Sequence, residues 1–261
     1  MKKNWWKTVF DKKYLDTYVD VHPPALTKRQ VSFLIKNLRL KKTQEILDLA
    51  CGFGRHAIPL AKAGYKITGV DYSKYLLARA KIEAKKAGAR VKFARKDMRS
   101  LGFKNKFDVI YAMFTAFGYF ADEKDNEKAL KSMARSLKPG GKFLLDLNNI
   151  IEVITRVNKL HKKKSDGTMT KVFKEELSND LKIKITSTFN HQKMTMAMKI
   201  EWRDESDKEK NFETKVRLYS LPEITNMLGE AGLKVEKIFG DFNGSEYKFS
   251  SPRMIILATK Q

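Results

Sequence analysis

Between Glu45 and Asn148 short apolar runs take turns with segments whose apolar residues recur every three or four positions. EILDL from Glu45, the run ending at Asp71, Val91 to Ala94, FDVIYAMF (Phe107 to Phe114) and FLLDL (Phe143 to Leu147) are too short for helices and predict strands. FDVIYAMF is apolar almost throughout, as expected of a central strand covered on both faces. Between the runs, Ser73 caps a predicted helix with Leu76, Leu77, Ala80, Ala84 and Ala87 near one face, closed by Gly88. A second helix, from about Glu123 to Leu137, should stop at Lys138-Pro139-Gly140-Gly141, where Pro cannot continue it and Gly supplies the reversal. Such alternation predicts an α/β fold with an open, largely parallel sheet and right-handed crossovers.

On either side the rhythm differs. Residues 1–42 read as a helical preface, with Thr27 as N-cap ahead of Val31, Phe33, Leu34, Ile35 and Leu38. Its aromatics, Trp5, Trp6, Phe10, Tyr14 and Tyr18, are expected to staple the preface to the core; a lid is the alternative. From Thr168 to Tyr219 a period of two prevails in Lys182 to Phe189, Met194 to Trp202 and Glu213 to Tyr219. Polar turns are expected at Ser178-Asn179-Asp180, His191-Gln192 and Asp204 to Lys210, which together predict an antiparallel β insertion forming a lid. A helix from Leu221 to Gly229 and two strands, Lys234 to Phe239 and Arg253 to Thr259, complete the chain. One domain over 1–261 follows: preface 1–42, ligand-binding core 43–150, β-rich insertion 151–220 and end of the core sheet 221–261.

Charge is the outlier in composition. Fifty-three Lys and Arg against 30 Asp and Glu give +23, which attracts polyanions such as RNA. The cations are scattered rather than gathered in one block, which favours a solvated Lys-rich surface over a dedicated nucleic-acid face. No apolar run approaches the length of a bilayer, and the basic start carries no leader pattern, so no membrane partner and a cytoplasmic location are expected. With a single cysteine, Cys51, an internal disulfide and a Cys-rich zinc site are excluded.

The chemistry concentrates between Glu45 and Tyr72, where a strand breaks at Gly52 and Gly54 into a helix and a second strand ending in Asp71. This is a nucleoside-binding β-turn-α-β unit, with Asp71 placed for a ribose diol. Gly52-Phe53-Gly54-Arg55-His56-Ala57 formally fits the dinucleotide fingerprint, so a nicotinamide cofactor must be weighed against S-adenosylmethionine (SAM). Asp48, on the strand four residues before Gly52, suits a cationic, phosphate-free ligand, and Asp97-Met98 supplies a second acid and a packing side chain for adenine.

LDLACGFG, VDYS, Asp97-Met98, FDVIYAMF and LKPGGKFLLDL, in this order and spacing, resemble the successive motifs of class I SAM-dependent methyltransferases over about Thr43 to Asn148. CGFGRH, TAFGYF, RLYS and GDFNGSEYKFSSPR resemble a group of single-domain methyltransferases of similar length, with Ala116 and Ser220 as departures. The resemblance implies a Rossmann-like seven-stranded sheet with an antiparallel last strand, and S-adenosylhomocysteine as product. It puts Ala50, Gly52 and Gly54 against methionine and ribose, Asp71 on the ribose hydroxyls, Tyr72 beside adenine, Asp97 and Met98 at the adenine edge, and Phe114 near the sulfonium. Arg55 either pairs with the SAM carboxylate or lies on a helix surface, whereas packing in the turn is expected of Cys51 and His56. Phe117 and Tyr119 are expected in the acceptor pocket and Phe120 in the core; Asn148 and Arg217 are further substrate candidates, and His161 reads as an exposed turn.

Cys51 lies inside the glycine turn, which speaks against cytosine-C5 chemistry, and Phe114-Thr115-Ala116-Phe117 replaces the Pro-Pro motif of adenine and glutamine amide methylation. Methylation of a nitrogen or oxygen of a small molecule or short peptide is the leading expectation. RNA methylation and a non-catalytic SAM-binding role are the alternatives; no residue stands out as a catalytic base.

Overall fold

Each of the five apolar runs of the core becomes a strand: β1 (Glu45–Leu49), β2 (Lys66–Asp71), β3 (Val91–Arg95), β4 (Phe107–Ala112) and β5 (Leu137–Asn148). The computed structural model describes residues 4–18, 23–158, 162–163, 168–176, 182–203 and 206–261. Ahead of β1 stand α1 (Trp6–Val9), α2 (Lys12–Tyr18) and α3 (Pro24–Leu38); α4 (Ala57–Lys62), α5 (Lys74–Lys86) and α6 (Glu123–Ser136) connect the core strands. Next come α7 (Ile150–Asn158), the insertion strands β6 (Lys162–Lys163), β7 (Thr168–Glu176), β8 (Lys182–Asn190), β9 (Thr195–Arg203) and β10 (Glu209–Arg217), then α8 (Leu221–Glu230), β11 (Leu233–Phe239) and β12 (Arg253–Lys260).

The core sheet has the order β11-β12-β5-β4-β1-β2-β3, and β12 runs antiparallel to both of its neighbours. Side-chain alternation divides it into two faces. Leu47, Ile110, Leu145 and Ile256 point to the side covered by α6 and α8, whereas Ile46, Val109, Leu144 and Ile255 meet Phe33 and Leu34 of α3 and Leu60 of α4. The helices are set by their caps: Ser73 Oγ accepts from Leu76 N at 3.1 Å, Asp122 from Lys124 N, and Ser220 with Glu223 closes a capping box on α8.

The insertion is a separate antiparallel sheet ordered β10-β9-β8-β7-β6. On β8, β9 and β10 the alternating residues Ile183, Ile185, Ile200 and Phe212 are buried in one cluster, against which Val9 and Tyr14 of the N-terminal segment pack. The first part of the preface, α1 and α2, thus bridges the core and the insertion, while α3 covers the other face of the core sheet.

Two local expectations are corrected, and one helix had no counterpart among them. Helix α3 starts at Pro24 behind Pro23, so Thr27 is one turn inside it and caps nothing; Pro at the first position needs no N–H and its φ is already helical. Lys138 to Gly141 is an irregularity within β5, where Leu137 pairs with Phe107 and Lys142 with Val109, rather than a loop before it. Helix α7, which follows β5 directly and buries Ile150 and Val153 against Phe189, Met196 and Leu218, was not foreseen. The expected turns at 178–180 and 204–205, the exposed turn of His161 and the Tyr18 side chain lie outside the described residues.

Candidate active site

A cavity opens at the carboxyl ends of β1, β2 and β4, lined there by Asp48, Ala50, Asp71 and Phe114. Its floor is the turn after β1. The backbone takes φ +56° at Ala50 and +55° at Gly52, a region where a side chain is strained, which is why the second position is glycine. Gly52 N donates to Asp71 Oδ2 and Ser73 N to Asp71 Oδ1, both at 2.8 Å, so one carboxylate binds the first turn to the end of β2. Burial raises the Asp71 pKa, partly offset by those amides.

Beneath the turn Asp48 is 2% exposed, and neither its Oδ2 nor the Tyr111 hydroxyl has a hydrogen-bond partner of ordinary geometry. Burial pushes the Asp48 carboxyl up to about 7, against the opposing pull of the nearby Tyr111 hydroxyl and Arg55 guanidinium. The Asp48 carboxyl and the Tyr111 hydroxyl thus form one buried polar pair behind the cavity wall.

Arg55, also on the wall, donates to Thr27 Oγ1 at 3.2 Å and to Gln30 Oε1 at 2.6 Å, and the same Gln30 oxygen lies 2.9 Å from His56 Nε2. Burial brings the guanidinium down to about 10, still charged at neutral pH. It stands 5.4 Å from the Phe114 ring centre; Arg253 stands 5.6 Å from the same ring. Phe114 and Thr115 both have positive φ, and Asp146 holds that turn by accepting from Phe114 N at 2.7 Å and from Arg253 Nε at 2.8 Å.

At the exit of β3, Asp97 caps a single 3-10 turn and is gripped by Arg99, whose Nη2 lies 2.7 Å from Oδ2. Burial alone would raise the Asp97 pKa, but the Arg99 hydrogen bonds outweigh it and the net shift is downward. Arg99 also reaches Asp125 and lies against the rings of Trp6 and Phe120.

The roof comes from the preface. Trp6, Phe10 and Tyr14 line the cavity, Trp6 meets Tyr72 edge-on at 4.9 Å, and Trp6 Nε1 is buried without a partner. Phe10 O accepts from Ser73 Oγ, and Tyr14 continues onto Phe212 of β10. The loop after β4 is fastened to the insertion at Gly118, whose carbonyl accepts from Arg217 N at 2.8 Å.

Of the residues singled out from sequence, Asp48, Ala50, Gly52, Arg55, Asp71, Tyr72, Asp97, Met98, Phe114 and Tyr119 line this one cavity. Gly54 does not; a Cβ there would strike Ile58 of α4. Phe117 is fully buried against Tyr219 and does not line the cavity, whereas Phe120, buried in the core as expected, also reaches the cavity wall. Asn148 accepts from Arg253, and Arg217 donates to Glu223 and the Leu218 carbonyl; neither Asn148 nor Arg217 is part of the cavity lining. Trp6, Phe10 and Tyr14 were expected to staple the preface, yet they do that and roof the cavity as well; their four-residue spacing, one face of a helix, was the available signal.

The donor set fits SAM. Each Asp71 oxygen accepts a single backbone amide and keeps acceptor capacity for ribose hydroxyls, the Asp48 carboxyl behind the wall is of the sign that suits a cationic tail, and Tyr72, Met98 and Trp6 offer apolar surface for a base. Comparison with known proteins agrees. A family profile described as a methyltransferase domain matches residues 46–141. The putative methyltransferase YqeM of Bacillus subtilis is 25% identical over 85% of this chain and 86% of its own. The cypemycin N-terminal methyltransferase of a Streptomyces species is 27% identical over 83% of each. The CcbJ methyltransferase of Streptomyces caelestis, at 20% identity, shares the fold over 98% of this chain and 99% of its own, with a TM-score of 0.80. Residues 46–141 thus match a methyltransferase domain, and the sheet that carries them has the Rossmann-like, seven-stranded class I order, with a cavity whose donors fit SAM as cofactor.

Proposed function

We propose that the protein moves the methyl group of SAM to an amine nitrogen of a small molecule or of the N-terminus of a short peptide. The observation that carries this reading is the enclosure: Trp6, Phe10 and Tyr14 of the preface line the cavity together with Phe114 and Tyr119, and the Phe10 and Tyr119 rings close on each other at 5.7 Å. Such a chamber admits a small acceptor, and its aromatic faces favour a nitrogen that gains positive charge as it is methylated. The wall carries two strong cations, Arg55 and Lys96, which is a sparse lining for a polyphosphate acceptor. The name of the cypemycin relative, an N-terminal methyltransferase, supports nitrogen over oxygen.

SAM supplies a methyl group on a positively charged sulfur, open to in-line displacement. The chain then has to position and exclude. In this reading Asp71 holds the ribose, Asp97 and Met98 the adenine edge, and Asp48 the cationic tail, with Phe114 and Tyr119 walling the acceptor. Orientation of this kind contributes on the order of 7–11 kcal/mol, so no dedicated base is required for an amine that arrives uncharged.

The test is incubation with methyl-labelled SAM and separate pools of small amines, short peptides and RNA. Label is expected in the amine or peptide pool as N-methyl product. Label in RNA alone, or S-adenosylhomocysteine formed with no pool labelled, would overturn the proposal.

A further inference from the structure

At the opposite end of β2 a second groove runs between the last turns of α4 and α5 and the first residues of β2 and β3. Lys62, Lys66, Lys81, Lys85, Arg90 and Lys92 line it, all exposed, against a single acid, Glu45. That ratio far exceeds the 53 to 30 of the whole chain. None of the six forms an ion pair with a carboxylate among the described residues, whereas Arg79 and Lys86, on the same helix α5, both engage Glu83. Lys62 and Lys85 lie in the last turns of α4 and α5 and offset the helix dipoles. Lys66, Lys81, Arg90 and Lys92 have no such role, and six like charges around one groove repel one another unless an anion joins them.

We propose that this groove docks the phosphate backbone of a nucleic acid, as a surface separate from the methyl-transfer cavity. Its concave form, with half-buried Tyr65 and Phe93 among the cations, suits a strand laid along it better than a flat bilayer, which calls for exposed apolar side chains. Lys66 and Asp71 terminate the same strand, so groove and cavity are separated by roughly 16 Å at ~3.3 Å per residue. A strand held here is tethered and is not itself the methyl acceptor.

Fluorescence anisotropy of the full chain with a labelled 20-nucleotide single-stranded RNA, and with DNA of the same length, tests this over a salt series. The triple variant K66E/R90E/K92E is compared with K124E/K131E/K234E, three exposed lysines outside the groove that change net charge equally. We expect the groove variant to weaken binding at least 10-fold at low salt and to flatten the log K against log salt slope by about 2, at ~0.7 per lost phosphate contact. The second variant should change affinity less than 3-fold. Loss of RNA binding against retained DNA binding, or the reverse, keeps the proposal and names the nucleic acid. Equal weakening by both variants, no binding of either oligonucleotide at low salt, or binding of phosphatidylserine vesicles in preference to both would overturn it. Circular dichroism of both variants confirms that each is folded.

Discussion

Arg253 Nε donates to Asp146 Oδ1 at 2.8 Å, joining the first residue of β12 to the neighbouring β5 directly beneath the turn that ends in the cavity. Asp146 is fully buried and Arg253 half-buried, with side-chain exposures of 0% and 16%, and Asp146 spends its second oxygen on the amide of Phe114. The left-handed φ of both Phe114 and Thr115 is maintained by this pair and by Arg253 Nη2 on Thr115 Oγ1. Arg253→Met should cost about 3–5 kcal/mol in denaturant unfolding, because it leaves a carboxylate buried without its partner. A loss below about 1 kcal/mol would mean that the turn is held by something else.

Gly118 is the fastening between the loop after β4 and the insertion. Its φ is +91°, and a Cβ there would come within 2.6 Å of the Arg217 carbonyl oxygen. Gly118→Ala should destabilise by more than about 1 kcal/mol and raise the acceptor KM more than the SAM dissociation constant. Equal effects on both ligands would place the strain at the cofactor instead of the lid.

Asp48 gives the ligand-free protein a signature in pH. Its carboxyl is raised from 3.8 to about 7 by burial, so between those values the folded chain binds more protons than the unfolded one. Stability from this group is therefore present at low pH, declines as pH rises through that window and is lost above it, on the order of 4 kcal/mol in all. Asp48→Asn should remove the decline: thermal midpoints of the two proteins should diverge in favour of the variant from pH 4 to pH 8. Parallel profiles would show that Asp48 is ionised throughout.

Trp6 tests the roof. It lies 5.3 Å from Phe120 and 4.9 Å from Tyr72, both on the cavity wall. Trp6→Phe should lower SAM affinity at least 5-fold by equilibrium dialysis, since it removes the buried indole N–H and half of the flat surface. Trp202→Phe, on β9 and outside the cavity lining, should leave it unchanged.

How much of this could be read in the residues depends on the range of the interaction. Each core strand followed from the periodicity of its own few residues, and the place of Asp71 beside the glycine turn from a stretch of about thirty consecutive residues. Phe117 and Phe120 could not be assigned, since which ring faces the cavity depends on Tyr219, about a hundred residues later, occupying the other side. For Arg217 and Asn148 the sequence left a substrate contact and a satisfied structural group side by side, because the polar partner of each, Glu223 or Arg253, is brought within reach only by folding. For Trp6, Phe10 and Tyr14 the sequence left stapling and a lid as alternatives, because local pattern does not say whether aromatics cover core or cavity; the structure has them do both.

The most direct measurement is calorimetric titration of wild type and Asp71→Ala with SAM and, separately, with NAD. Saturable SAM binding by wild type, at least 10-fold weaker in the variant, with no heat from NAD, is the predicted result. NAD binding without SAM binding, or SAM binding that Asp71→Ala leaves intact while the protein stays folded, would contradict the site described at the end of β2.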